Sequence, residues 1–171
     1  MGLTSMSARG SAFDKALREM AVPALSAHGF KFDGSRTFRR FSEDGRTCQI
    51  INFQLGQRSM AGKFTVNLGV FADGDSLDVR VDRANEYDCR FECRTRIGML
   101  IPLRFPKLAK LPFIGFLFGI QDKWWSFTEA PSRTGAAVTV AVDMISAYGL
   151  GWLNARGPWQ FHQAVSASRH S

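Results

Sequence analysis

Carboxamide and guanidinium side chains recur at alternate positions in three segments of this sequence. Asn52 and Gln54 occur in the first segment, Asn67 in the second, and Arg94 and Arg96 in the third. Alternate side chains of a β-strand point to the same face, so these five would share one surface if the strands were neighbours. Arginine fits a carboxylate or phosphate, and amides orient such a ligand. The spacing predicts an anion- or partner-binding face, and the plainer interpretation is a solvated outer sheet face.

Two adjacent tryptophans form a second candidate contact. Trp124 and Trp125 point to opposite sides if the segment is extended, so we expect one in the core and the other at the surface or in a pocket wall. Tryptophan is enriched at the residues that dominate binding energy. Packing is still the commoner role of this residue type.

Motifs for metal binding and nucleophilic catalysis are weak or missing. Cys89 and Cys93 would lie about 13 Å apart on a strand, and no histidine pair follows at zinc-site spacing. Asp73, Asp75 and Asp78 lack the glycine and the glutamate of a calcium-binding loop. No nucleophile elbow or glycine-rich phosphate loop is present. We therefore expect no metal, no cofactor and no catalytic residue, although a small enzyme stays open.

An amphipathic helix is predicted at the start of the chain. Ser11 is its expected N-cap, Pro23 is expected to kink it, and Gly29 is expected to end it. The side chains expected to form its buried stripe recur at helical spacing: Phe13, Leu17, Met20, Ala24 and His28.

Strand-like alternation follows, and a second helix comes near the end. The predicted strands are residues 30–32, 37–42, 47–55, 64–71 and 94–100, with a hairpin at Asp44-Gly45. A later stripe predicts a one-faced helix through Val138, Val142, Ile145, Tyr148 and Trp152. These elements predict an α+β domain with an antiparallel sheet of four to five strands, a kinked N-terminal helix and a C-terminal helix packed on one face.

Composition and charge narrow the class of protein. The chain has 171 residues, of which 45% are hydrophobic and 22% charged, as in one ordinary globular domain. Lysine and arginine number 22 against 15 acidic residues, a net charge of +7. This charge favours nucleic acid, acidic proteins or anionic membrane surfaces as partners. The acidic stretch 73–88 and the basic stretch 90–110 are interpreted as neutralising one another.

The ends of the chain and its cysteines suggest how the domain is organised. Residues 1–10 are expected to be a flexible leader, 11–161 a single α+β domain and 162–171 a flexible tail. The first twenty residues carry charges without an apolar stretch between them, which is unlike a signal peptide. With three cysteines, an odd number, this favours reduced thiols and a cytoplasmic location.

A series of short motifs follows in order along the chain: Gly29-Phe30, Asn52-Phe53-Gln54, residues 64–70, Tyr87-Asp88-Cys89, Arg96-Ile97-Gly98 and residues 122–125. In this order they resemble the bacterial domain-of-unknown-function family 4304 over about residues 12–153. The resemblance implies a small α+β domain and no established activity. The chain departs from the family pattern in an apolar insertion at residues 103–120. Two interpretations are open: the insertion covers the core of its own domain, or it forms a homodimer or membrane-surface contact.

These observations favour a non-catalytic protein-binding module, of an immunity or regulatory type, as the function. The first alternative is a small enzyme or a binder of small anionic ligands that uses the amide–arginine face. The second is a non-specific nucleic-acid binder, for which no recognition motif is present.

Overall fold

Six antiparallel strands form one sheet in the described part of the computed structural model, which covers residues 2–102 and 122–156. The strands are β1 (Lys31–Phe32), β2 (Thr37–Phe41), β3 (Thr47–Leu55), β4 (Lys63–Ala72), β5 (Arg94–Arg96) and β6 (Trp125–Ser126). Strands β1 to β5 are neighbours in chain order. One edge of β4 pairs with β6 at residues 63–64 and with β5 at residues 67–69, so the segments on both sides of the insertion meet there.

The predicted hairpin is confirmed at the turn between β2 and β3. The backbone N–H of Ser42 donates to the carbonyl of Thr47 at 2.9 Å, which closes the loop. Gly45 has a φ of +69°, in the left-handed region that a glycine adopts without strain. The boundaries of β3 are as predicted. The predicted strand 94–100 is wrong beyond Arg96, because Ile97–Leu100 coil into a 3₁₀ turn that buries Ile97.

The N-terminal helix runs through two α-helical parts and a π-helical turn between them. Helix α1 (Gly2–Ala16) leads into the π turn Leu17–Ala21, and α2 (Val22–Ser26) follows. The predicted cap at Ser11 is wrong, because the helix already begins at Gly2. The mobility expected for residues 1–10 stays a prediction. Pro23 lies in the first turn of α2, directly after the π turn, so the helix is interrupted where the kink was predicted.

The C-terminal helix has the same construction. Helix α3 (Pro131–Met144) is followed by the π turn Ile145–Gly149 and by α4 (Leu150–Ala155). By length and composition alone, the span Pro131–Ala155 is long and apolar enough to cross a membrane. Core helices of soluble proteins pass the same test, and one stripe of this helix packs on the sheet.

Both π turns change which residues face the core. A π turn contains about one residue more than an α turn, so the buried stripe moves along the sequence by one position. Met20 and Tyr148, predicted as core residues, are exposed, and their neighbours Ala21 and Gly149 are buried instead. The predicted stripes are therefore correct as far as Leu17 and Ile145. Beyond these positions Met20, His28 and Tyr148 are exposed, while Ala24 and Trp152 are partly buried against the core. The buried positions are Phe13, Leu17, Ala21 and Leu25 in the first helix and Val138, Val142, Ile145, Gly149 and Leu153 in the second.

Both helices pack on the same face of the sheet and close the main core there. Phe13 of the first helix contacts the rings of Phe64 and Phe127 at centroid distances of 4.9 and 5.0 Å. The α+β class with helices on one face is thus confirmed. Residues 103–120 and 162–171, for which an insertion and a flexible tail were predicted, lie outside the described residues.

Candidate functional site

The strand register brings the five predicted amide and arginine residues to the outer face of the sheet, opposite the helices. Asn67 of β4 stands between Asn52 of β3 and Arg96 of β5. Gln54 is paired with Thr65, and Arg94 with Gly69. The residues share side-chain parity and therefore one face. Their predicted convergence on one surface is confirmed, while their role in binding stays a prediction.

This outer face is not simply solvated, because a segment of the chain covers much of it. Residues 79–89, here called the covering segment, bury a second apolar cluster against the sheet. Its members are Cys48, Ile50, Phe71, Ala84 and Cys89, with Val79 and Val81 packed against them. Asn67 and Thr65 are buried as well. The interpretation as a solvated face is therefore wrong for this part of the sheet.

A tight turn at the end of the covering segment sets the direction of two side chains. The Asp88 carboxylate accepts from the backbone N–H of Asn85 at 2.8 Å, and the Asn85 side-chain oxygen accepts from the N–H of Tyr87 at 2.8 Å. Such Asx turns fix the local backbone. As a result Glu86 is directed onto the sheet and is only 5% exposed, while Tyr87 is 61% exposed.

Asn67 holds the buried Glu86 carboxylate in place. Its Nδ2 donates to Oε1 of Glu86 at 3.0 Å and to Oε1 of Gln54 at 2.9 Å. Both amide hydrogens of Asn67 are therefore used. Asn67, itself held by Gln54, thus positions an acidic side chain of the protein, and the predicted role of both amides toward a ligand stays a prediction.

Glu86 lines a cavity of about 370 Å³, here called the outer cavity. Arg94 stands at its exposed side, with its guanidinium 5.7 Å from the centroid of the Phe91 ring. Nη1 of Arg94 donates to the carbonyl of Tyr87 at 3.2 Å. Phe91 itself is 82% exposed. The full lining is Asn67, Leu68, Glu86, Tyr87, Phe91, Arg94, Thr95 and Arg96.

Arg96 and Trp124 meet at one carboxylate beside the outer cavity. Oδ2 of Asp122 accepts hydrogen bonds from Nη1 of Arg96 and from Nε1 of Trp124, the latter at 3.0 Å. The Arg96 guanidinium also lies 5.6 Å from the Trp124 ring centroid. Asp122 therefore balances the charge of Arg96, whereas Arg94 has no acidic partner among the described residues.

All six strands, the C-terminal helix and this site lie within one matching family model, which begins inside the N-terminal helix. The model for a domain of unknown function, DUF4304, matches residues 21–155. The chain belongs to the DUF4304 family. No curated protein and no solved structure matches it. The match spans all six strands of this DUF4304 domain and both segments that build the outer cavity.

Trp125 lies on the other side of the DUF4304 sheet from Trp124. Its ring stacks on Phe64 at 5.4 Å in the main core, so the prediction of one buried and one surface tryptophan is confirmed. Because Trp125 is buried, Trp124 is the tryptophan of this pair that a partner could contact directly. Among the described residues, the indole N–H of Trp125 is the one buried side-chain polar group without a hydrogen-bond partner.

Asn52 belongs to a second, more open cavity of about 330 Å³. This amide cavity is separated from the outer cavity by Glu86 and Tyr87, which line both. Asn52 donates from Nδ2 to the Thr37 hydroxyl at 3.0 Å, so its amide is partly used. The predicted residues are therefore divided between two cavities, although they lie on one face. The amide cavity is lined by Ser35, Arg36, Asn52, Phe53, Gln54, Leu55, Asn85, Glu86 and Tyr87.

The cysteines of this DUF4304 domain are poor nucleophiles. Burial raises the pKa of Cys48 and of Cys89 to about 12 in each case. Burial also raises the pKa of Cys93, and the neighbouring Glu92 adds to the effect. Thiols at these positions stay protonated near neutral pH. Within residues 2–102 and 122–156, no cluster of three or more potential metal ligands is found.

Sequence reasoning missed Glu86, Tyr87 and Phe91. In the sequence Glu86 stands out as one of six acidic residues of the stretch 73–88, which does not mark it as a site residue. The signal that could have found it is the pair of turn-forming residues Asn85 and Asp88, which brackets Glu86 and Tyr87 and predicts a tight turn.

Proposed function

We propose that this DUF4304 domain is a non-catalytic protein-binding module whose contact surface is the rim of the outer cavity. The observation that carries the proposal is the exposure of two aromatic side chains, Tyr87 and Phe91, with the guanidinium of Arg94 beside them. Aromatic and arginine side chains dominate the energy of protein interfaces. An immunity-type or regulatory role in the bacterial cytoplasm fits such a module.

The rim is pre-organised, which supports a role in binding. The hydrogen bonds of Asn85 and Asp88 fix the turn that presents Tyr87. Arg90, next to Phe91, forms an ion pair of 2.7 Å with Asp75, whose side chain is almost fully buried. A surface already ordered in the free protein loses less conformational entropy when a partner binds.

The alternatives receive less support from the same residues. A phosphate at Arg94 would share the outer cavity with the buried Glu86 carboxylate, and like charges repel in a partly desolvated site. Protonated thiols at Cys48 and Cys89 argue against thiolate catalysis at these positions. The nucleic-acid alternative is kept as an outcome of the experiment.

The test is capture of partners from a bacterial lysate on the purified domain, with nuclease and at two salt concentrations. Phe91→Ala and Arg94→Ala each remove one side chain from the rim of the outer cavity. Leu77→Ala is the matched control, because Leu77 is 99% exposed and does not line the outer cavity. We expect one stoichiometric protein to be retained by the wild type and by the control, and lost by both rim variants.

Other outcomes would contradict the proposal. Binding that nuclease removes and that falls steeply with salt would identify a nucleic-acid binder instead. A partner retained equally by all variants would place the interface elsewhere. If the wild type retains no protein, the module has no partner under these conditions and the proposed function fails.

A further inference from the structure

Glu86 and Arg94 carry opposite charges and line the same cavity, yet they form no ion pair. No nitrogen of Arg94 lies within 4.0 Å of a Glu86 carboxylate oxygen. Each is held by a different neighbour, Glu86 by the amide of Asn67 and Arg94 by the carbonyl of Tyr87. A gap between two opposite charges is therefore built into the outer cavity.

Both groups retain unused hydrogen-bonding capacity. Oε1 of Glu86 accepts from Asn67, and its other oxygen has no donor among the described residues. Glu86 as a whole residue is 5% exposed, and removing a carboxylate from water is costly unless donors surround it. Arg94 has five N–H donors, and within the described residues it donates one hydrogen bond.

The neighbouring charges do not compensate this pair. Arg96 also lines the cavity, but it is paired with Asp122. Asp88 accepts from the backbone of Asn85 in the turn and does not line the cavity. The remaining walls include the side chains of Tyr87 and Phe91. The outer cavity is thus lined by one buried acidic residue, Glu86, and by Arg94, which has no acidic partner in the described part of the chain, beside two aromatic residues.

We infer that the outer cavity takes a zwitterionic group, with its cationic end at Glu86 and its carboxylate end at Arg94. A simple anion is repelled by Glu86, and a simple cation is repelled by Arg94. An apolar group would remove water from both charges without replacing it. A volume of about 370 Å³ lies in the range of small-ligand sites. This inference rests on the outer cavity being the binding surface proposed above.

Two sources supply this chemistry. A protein partner presents it as neighbouring acidic and basic side chains, and a free amino acid presents it in one molecule. In both, a charge-assisted hydrogen bond forms at each end, and such bonds are stronger than neutral ones.

The test is an NMR titration with ω-amino acids of increasing length: glycine, 4-aminobutanoate and 6-aminohexanoate. Butylamine and butanoate carry one charge each and are the matched controls. The reporter is the side-chain amide of Asn67, which contacts Glu86. We expect saturable shifts with at least one ω-amino acid and much weaker shifts with either control.

Charge-neutralising variants make the test specific. Glu86→Gln removes one charge with little change of shape, and Arg94→Gln removes the other charge with a shorter side chain; each is expected to weaken binding about tenfold or more. Arg94 is exposed, so its variant keeps the test valid if Glu86→Gln does not fold. No saturable binding, binding of a single-charge control as tight as that of the ω-amino acids, or unchanged affinity in a folded variant overturns the inference.

Failures of the two proposals are distinguishable. A captured partner that Phe91→Ala loses, together with no binding of any ω-amino acid, overturns the zwitterion inference and leaves the binding module standing. Probe binding without a captured partner supports the inference and removes the protein-binding function. If 6-aminohexanoate elutes a captured partner, the zwitterion is provided by partner side chains. Probe binding that leaves the partner in place supports a free amino acid as the occupant.

Discussion

Arg40 donates two hydrogen bonds to the side-chain oxygen of Gln49, from Nε at 2.8 Å and from Nη2 at 2.5 Å. The same guanidinium donates to the carbonyl of His28 at 2.9 Å, just past the end of the N-terminal helix. Gln49 in turn donates to the carbonyl of Leu153 at 2.9 Å, in the last turn of the C-terminal helix. A helix ends in carbonyls without intrahelical partners and with partial negative charge. This pair therefore joins the sheet to the ends of both helices.

Replacing Arg40 with alanine is expected to destabilise the domain strongly. The change removes a cation from two helix ends and leaves the oxygen of the buried Gln49 without its donor. We expect a loss of about 2 to 4 kcal/mol in the free energy of unfolding. Urea denaturation measures it. Arg40→Lys should give an intermediate loss, because lysine lacks the planar fork of donors.

The control is Arg46→Ala. Arg46 is exposed and its nitrogen lies 3.7 Å from an Asp73 oxygen, so its removal should change the free energy of unfolding by no more than about 0.5 kcal/mol. Equal effects of Arg40→Ala and Arg46→Ala would show that the hydrogen bonds to the helix ends do not contribute to stability.

Glycines of the C-terminal helix should respond in opposite ways to substitution. A Cβ at Gly135 would meet no atom within 4 Å, so Gly135→Ala is expected to stabilise by about 0.5 to 1 kcal/mol through helix propensity. A Cβ at Gly149 would lie 3.2 Å from Cδ1 of Ile97 and 3.3 Å from Cδ1 of Leu68. Gly149→Val is therefore expected to destabilise by about 1 to 3 kcal/mol. Thermal and urea unfolding of both variants check this, and a tolerated Gly149→Val would contradict the π-turn packing.

The sequence predicts the helices of this domain but not the turn at which their buried stripe changes. Apolar spacing of three and four residues fits both Tyr148 and its neighbour Gly149, and side-chain hydrophobicity favours tyrosine. The structure buries Gly149, because the sheet comes so close that a larger side chain does not fit. The π turn coincides with this close tertiary contact, which cannot be read from a single sequence.

The shared face of the candidate site could be predicted from the sequence, but the segment that covers this face could not. Strand parity is a local property, so Asn52, Gln54 and Asn67 were correctly assigned to one face with the two arginines. What covers that face is decided by a loop that folds back over the sheet. The path of this loop is set by long-range contacts, such as the packing of Cys89 against the sheet. Without these contacts the sequence does not show that Glu86 is directed onto the sheet.

Gly69 is expected to be essential for the position of the covering segment. A Cβ at this position would lie 2.7 Å from Sγ of Cys89 and 3.3 Å from Cα of Glu86. Gly69→Ala should therefore push Glu86 away from Asn67, destabilise the domain by about 1 to 3 kcal/mol and weaken binding at the outer cavity. Because Sγ is the closest atom, Cys89→Ala should relieve part of the cost. A double-mutant cycle measures this coupling, and additive effects would show that the two residues do not clash.

Asp33 should make the stability of the domain sensitive to acid. Burial opposes ionisation of its carboxyl group, but hydrogen bonds from Ser35, Arg39 and Thr37 outweigh it and lower the pKa below 3.8. A lowered carboxyl pKa stabilises the fold above the unfolded value and loses that effect as the pH falls through the folded value. Asp33→Asn is expected to cost about 1 kcal/mol at neutral pH, a small value because solvent screens this partly exposed group.

Urea titrations from neutral pH into the acid range measure the Asp33 effect. The difference between wild type and Asp33→Asn should shrink below pH 3.8. Asp78→Asn removes the same charge at an exposed position with no recorded hydrogen bond, and corrects for net charge. A difference that stays constant with pH would mean that ionised Asp33 contributes nothing specific.

The three thiols are expected to react in a fixed order with an alkylating reagent. Only the thiolate is nucleophilic, and a pKa of about 12 leaves about one thiol in ten thousand ionised at pH 8. Cys48 and Cys89 are also buried between the sheet and the covering segment, whereas Cys93 is half-buried. We therefore expect iodoacetamide to label Cys93 first and the other two only when the protein opens.

Peptide mass spectrometry over time gives the labelling rates of the three cysteines, and Cys93→Ser should remove the fast phase. Labelling of Cys89 as fast as Cys93 in folded protein would show that the covering segment does not stay closed over the outer face.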